Sequence, residues 1–207
     1  MFFVNHRVNT LEALKAVPIN NGAEIDVRYH HDDIILHHDP FGHHKTHLVK
    51  LEDFLKQWTC AGPLILNVKT EGIELNCIQL LNYYQVKNWF FLDLSMPYFV
   101  KYSELAENGS INGFSPNNLA IRFSEREPIE YALNFAGKVN WVWVDCFSKM
   151  PLSTENAKLL TKAGFQICVV SPELQQHHVS RISEFKELLK DIEVAAICTK
   201  HPALWDH

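Results

Sequence analysis

Short apolar segments recur along this chain about every 26 residues, each followed by an amphipathic helical pattern, and no other feature restricts the fold as much. The strand candidates are FFVNH (2–6), AEIDV (23–27), PLILNV (63–68), WFFLDL (89–94), NLAIRF (118–123), VNWVWVD (139–145), FQICVV (165–170) and VAAICT (194–199). Between them the spacing predicts helices over 10–17, 50–58, 72–84, 98–108, 128–136, 153–163 and 181–191. Thr10 and Ser153 stand at N-cap positions, and Gly109, Gly137 and Gly164 stand where helices stop. Eight strand–helix units in 207 residues predict an α/β fold of the compact (β/α)8 barrel type. An open doubly wound sheet is the other arrangement that such alternation allows. No linker or low-complexity run interrupts it, so residues 1–207 read as one domain.

Composition narrows the function classes. Lys and Arg are scattered and the net charge is −5, so there is no basic stripe of the kind a nucleic-acid surface needs. No run approaches the roughly 20 apolar residues of a membrane span, and no basic segment leads into a long apolar one. The five cysteines are an odd number without CxxC spacing, which reads as reduced core thiols and a cytoplasmic setting. Histidine stands out, with twelve in all and seven of them between His30 and His47.

In a barrel the chemistry sits at the carboxyl ends of the strands. Those ends carry His6 and Arg7, Glu24 and Asp26, Asn67 and Lys69, Asp93, Asp145, Ser171 with Glu173, and Thr199. Glu24 and Asp26 lie two apart on one strand and therefore share a face. Two carboxylates on an otherwise apolar strand are costly unless a cation offsets them, and oxygen donors suit Mg²⁺ or Ca²⁺. The next segment, DDIILHHDPF (32–41), turns at Asp32–Asp33 and runs back as a short strand, which brings His38 toward that pair and across from His6. Two imidazoles flanking a phosphate form an acid/base pair, one deprotonating the attacking hydroxyl and the other protonating the leaving oxygen. Arg7 and Lys69 supply the charge to hold the non-bridging oxygens.

The ordered set NHR, NT, GAEIDV and HHDP resembles the signature of the glycerophosphodiester phosphodiesterase family, whose members are TIM barrels. ILNVK (65–69) is similar to that family's third-strand Glu-x-Lys, and AICTKHP (196–202) to its last strand, usually Thr-Asp-x-Pro. The resemblance is concentrated in residues 4–41. It implies His6 and His38 as the catalytic pair, Arg7 and Lys69 as phosphate contacts, and Glu24, Asp26 and Asn67 around a divalent metal. The implied reaction is hydrolysis of a glycerophosphodiester or related small or lipid head-group diester, by water or by an adjacent substrate hydroxyl.

This chain also departs from the pattern. Asn67 stands where the family carries a third acidic ligand, and an amide oxygen binds without supplying charge. Asp93, ending the next strand, is a secondary candidate for that charge. Val8 replaces a glycine, and Val170-Ser171 replace Trp-Thr. These departures open a second reading, a weakly active or non-hydrolytic barrel that binds a phosphorylated ligand. A zinc site built from His30, His31, His37, His38, His43, His44 and His47 is a third, although adjacent histidines on a strand point to opposite faces. Lys69 as a Schiff-base lysine is a fourth, without an evident partner to lower its pKa.

Overall fold

The computed structural model describes residues 1–40 and 48–206. These residues form β1 (Phe2–Asn5), α1 (Leu11–Lys15), β2 (Gly22–His30), β3 (Asp33–Leu36), β4 (Val49–Lys50), α2 (Leu51–Leu55), β5 (Leu64–Val68), α3 (Glu74–Tyr83) and β6 (Trp89–Leu92). There follow α4 (Met96–Glu107), β7 (Ala120–Phe123), α5 (Ile129–Leu133), β8 (Trp141–Val144), α6 (Thr154–Lys162), β9 (Gln166–Val170), α7 (Arg181–Leu189), β10 (Ala196–Thr199) and α8 (Pro202–Trp205). Every strand expected from the sequence is formed. Several helices are shorter than their apolar patterns, because i→i−3 bonds such as Phe135 N to Ala132 O and Ala136 N to Leu133 O tighten the ends into turns. Thr10 and Ser153 cap α1 and α6 as expected, accepting from Ala13 N and Asn156 N. The short α8 was not signalled by its sequence.

The sheet is mostly parallel. Parallel ladders run in the order β6-β5-β2-β1-β10-β9-β8-β7, and a lone parallel bridge joins Phe91 to Leu119 between the two ends of that row. The antiparallel strand β3 pairs with the outer half of β2 as the expected return, and the two-residue β4, not expected from the sequence, pairs with β3. Gly22 and Gly62 meet backbone to backbone at the start of β2, where a Cβ on Gly22 would stand 2.2 Å from the Pro63 carbonyl oxygen.

Side-chain alternation splits the interior in two. One apolar cluster, including Ala23, Ile25, Val27, Leu64, Leu66 and Phe91, packs the sheet against the helices. The other is made almost wholly of strand residues: Val4, Ile65, Phe90, Leu92, Ala120, Trp141, Trp143, Cys168, Val170, Ala196 and Cys198. Parallel strands buried on both faces read as continuous apolar runs, which is what these segments show. All five cysteines are free, and all but Cys60 are buried, as core thiols should be. Among the described residues no helix is long and apolar enough to cross a membrane.

Candidate active site

The second cluster determines where the site lies. Continuing its parity toward the strand ends leads from Val4 to His6, from Ile65 to Asn67 and Lys69, from Ala120 to Arg122, and from Trp141 through Trp143 to Asp145. Apolar side chains fill the lower layers and polar ones take over at the carboxyl ends. There they line a cavity of about 270 Å³ with Arg7, Glu24, His38, Leu92, Asp93, Val170 and residues 174–176. A larger surface groove of about 650 Å³ along α7 is lined by groups such as Lys186, Glu187 and Lys190, without an acid/base pair.

Two lining residues have the wrong parity. Arg7 and Asp93 follow inward-facing neighbours, and both have left-handed backbone, φ 54 and φ 60. Such conformations cost a non-glycine residue free energy, and here they re-aim side chains that a regular strand would send outward. Arg7 also donates its backbone N–H to Glu24 Oε2 at 2.8 Å.

The two imidazoles converge on this cavity, as the sequence predicts. His38 arrives at the end of β3, and the His37 N–H bonds the Asp26 carbonyl. The Arg28 guanidinium pins the same turn through the His37 and His38 carbonyls. His38 Nδ1 lies 2.7 Å from Asp39 Oδ1, and Arg7 Nη2 lies 2.6 Å from its Nε2. A carboxylate only accepts and a guanidinium only donates, so the proton sits on Nδ1 and Nε2 is left as the acceptor. His6 is nearly buried, with Nε2 3.8 Å from Glu24 Oε2 and Nδ1 lacking a hydrogen-bond partner. Burial, then the positive charges of Arg7 and Lys200, push its pKa down to about 3, so the ring stands neutral.

Glu24 and Asp26 are buried side by side. Burial first, and the Asp26 charge second, push Glu24 up to about 7. Asn9 grips Asp26 from both ends, donating to Oδ2 at 2.7 Å and accepting from the backbone N–H at 2.9 Å. Asp26 Oδ1 has no hydrogen bond, and Lys69 Nζ stands 3.4 Å away. Buried carboxylates with an unmet oxygen fit a cation, so Glu24 and Asp26 suit a divalent metal. Asn67 fits it less directly: its Nδ2 donates to Glu24 Oε1 at 3.0 Å, and its oxygen accepts from Lys69 at 2.7 Å.

The far wall joins Asp93 and Asp145, both named from the sequence, to Arg122 and Gln175, which the sequence reading passed over. Arg122 pairs with Asp93 and lies 3.0 Å from Asp145 Oδ2. Asp145 also accepts from Trp143 Nε1 at 3.3 Å and from Gln175 at 2.6 Å. Asp93 is thereby committed to Arg122 and does not join Glu24 and Asp26. The signal for Arg122 was present, a charged residue at the end of an apolar strand, and the test that singled out Glu24 finds it too. Glu173 does not line the cavity: it clamps Ser171, Thr199 Oγ1 and the Lys200 N–H, tying the ends of β9 and β10 together. Among the described residues no three His, Cys, Asp or Glu are grouped to hold a metal, which applies to His30, His31, His37 and His38 of the zinc reading and leaves Glu24 and Asp26 as a pair. His43, His44 and His47 lie outside the described residues.

No protein-family model and no curated protein matches the chain. Solved structures do. A glycerophosphodiester phosphodiesterase from Agrobacterium tumefaciens superposes with TM-score 0.67 at 13% identity, covering 99% of both chains. A glycerophosphoryl diester phosphodiesterase from Parabacteroides distasonis gives TM-score 0.67 at 15% identity, over 99% of this chain and 84% of the other. The chain therefore shares the fold of these two phosphodiesterases along nearly its whole length.

Proposed function

We propose that this chain is a metal-dependent phosphodiester hydrolase of the glycerophosphodiester phosphodiesterase type, acting on small or lipid head-group diesters. The observation that carries the reading is the convergence of His6, His38, Arg7, Lys69 and Glu24 on one cavity, in a chain sharing the fold of two such enzymes. We also read residues 1–207 as one domain whose eight parallel strands close into a (β/α)8 barrel. The Phe91–Leu119 bridge and the helix-free inner cluster support that closure.

Arg7 and Lys69 bind the non-bridging oxygens of the diester. His6, neutral and buried, is set to take a proton; burial depresses its pKa most, and the anionic phosphate offsets the cations that depress it further. His38, oriented by Asp39 at Nδ1, has Nε2 free to take up a second proton from solvent once Arg7 turns to the phosphate. That second proton is the one available to the leaving oxygen. One ring deprotonates the attacking water or an adjacent substrate hydroxyl, and the other protonates the leaving oxygen. Glu24 and Asp26, with Asn67 as a neutral third donor, would hold Mg²⁺ or Ca²⁺, which when bound neutralises charge on the phosphate oxygens. The cavity suits a small head group better than a long chain, being near the lower end of ligand-site volumes.

The test is a panel of glycerophosphodiesters assayed with and without chelator, alongside Asn67→Glu. Metal-dependent turnover, raised by the substitution, supports the reading. No turnover of any diester under any condition would leave a phosphate-binding protein instead.

A further inference from the structure

The reading above gives Lys69 to the phosphate, yet its ammonium is already enclosed. Nζ lies 2.7 Å from Asn67 Oδ1, 3.4 Å from Asp26 Oδ1 and 4.0 Å from Asp93 Oδ2. Of these three oxygens only Asn67 Oδ1 accepts a hydrogen bond from it; the Asp26 and Asp93 carboxylates act on it through charge. Asn67 is locked by the same arrangement. A carboxylate only accepts and an ammonium only donates, so reversing the amide would set oxygen against Glu24 and nitrogen against Lys69. Lys69 thus holds the one Asn67 atom a metal needs, and among the described residues it is the cation paired with the unbonded oxygen of Asp26.

Charge makes the two cations rivals. With Asp93 already paired to Arg122, Glu24 and Asp26 offer at most two negative charges, while a divalent ion and an ammonium together bring three positive ones. A carboxylate at position 67 would balance both; an amide does not.

We infer that Lys69 is a built-in competitor for the metal: its ammonium occupies Asp26 and the Asn67 oxygen in the metal-free protein, and Mg²⁺ or Ca²⁺ binds only as that ammonium lets go. The inference rests on the metal assignment proposed above. Displacing Lys69 also frees it for the substrate's phosphate, so loading the metal and arming the phosphate grip become one event. A weak metal site results, and its weakness comes from Lys69 as well as from the missing carboxylate.

Titration calorimetry with MgCl₂ or CaCl₂ alone tests this on the full chain. Lys69→Met is expected to bind metal about tenfold tighter than wild type or better, and Asn67→Asp is also expected to bind tighter. A second measurement uses the wild-type protein and so survives misfolding of a variant. Its lysines are reductively ¹³C-methylated, and the Lys69 resonance is assigned by its loss in Lys69→Arg. That resonance should move with the same midpoint as the heat of metal binding. The inference is overturned if Lys69→Met binds no tighter, if the resonance stays still while metal binds, or if no form binds metal. No diester enters either experiment, so failure here is distinguishable from failure of the hydrolase reading, which the turnover panel decides.

Discussion

The two halves of the cavity wall are built from the same kinds of residue and end in opposite states. On the half formed by β1, β2, β3 and β5, His6 Nδ1 and Asp26 Oδ1 are buried without hydrogen bonds, and Glu24 and His6 are both pushed far from their ordinary pKa values. On the half formed by β6 to β9, Arg122 lies between two carboxylates and Asp145 accepts from three donors. Buried polar groups are normally satisfied, so those left over point to what is to be bound. On the reading proposed above, the first half is the one that takes the phosphate and the metal. The second is a finished network that shapes the wall, with burial still holding Asp145 somewhat above the usual carboxylate range.

That contrast is open to attack, and the sharpest attack is on activity. His6→Ala and His38→Ala are each expected to lower diester turnover by about 10²- to 10⁴-fold in steady-state assays. His6→Ala should scarcely change the urea midpoint, because an unsatisfied group is being removed. If a far-wall substitution in a still-folded protein cost as much turnover, the division of labour would be wrong.

Arg122→Met attacks the finished half. It strands Asp145, which is nearly inaccessible, and should lower stability by about 2–3 kcal/mol in urea unfolding, with turnover per folded molecule far less affected than in the histidine variants. An unchanged urea midpoint would show that the network contributes little to stability.

Protonation sharpens the comparison in metal-free protein. His6 titrates at about 3 in the folded chain and near 6.5 when unfolded, so the unfolded state binds the extra proton between those values. Its contribution to stability is complete above pH 6.5 and is lost as pH falls toward 3. Glu24 runs the other way: about 7 folded against 4.5 unfolded, its contribution is complete below pH 4.5 and lost as pH rises through 7. The two slopes oppose each other between pH 4.5 and 6.5. The stability of wild type relative to His6→Gln should therefore climb from pH 3 to 6.5, measured by chemical unfolding in chelator. A flat difference would remove the buried neutral His6 from the account.

The smallest expected effect belongs to Asp93→Asn. Asparagine tolerates the left-handed backbone at this position, so the substitution isolates one charge from Arg122. A loss of about 1 kcal/mol, with turnover changed less than tenfold, fits a shaping role. A much larger fall in turnover would place Asp93 among the groups acting on substrate.

Much of this was legible because a strand shows its geometry in its spelling. Glu24 and Asp26 are two apart and so share a face, and DDIIL reads as a return that delivers His38. Asn67 and Lys69 follow the same rule from Ile65. Arg122 was equally legible and was passed over. What alternation misplaces are Arg7 and Asp93, since period-two reasoning sends both outward and their positive φ values turn them in. Asn9 entered only as part of the NT that accompanies NHR in the family signature, with no role attached, and Gln175 carried no signal at all. Asn9 acts from a loop and Gln175 from the end of a short 3-10 turn, and the reach of such residues depends on how the chain is folded around them.

By itself, then, the sequence determined the order of the elements, which faces of the strands are polar, and which residue types are available at their ends. Those follow from local periodicity and need no knowledge of distant partners. Only the tertiary structure decided which polar groups satisfy one another and which do not. Asn67 turning its oxygen to Lys69, Asp93 going to Arg122, and Asp26 keeping an unbonded oxygen are competitions between residues far apart along the chain. Their outcome depends on distances and burial that exist only once the strands lie side by side.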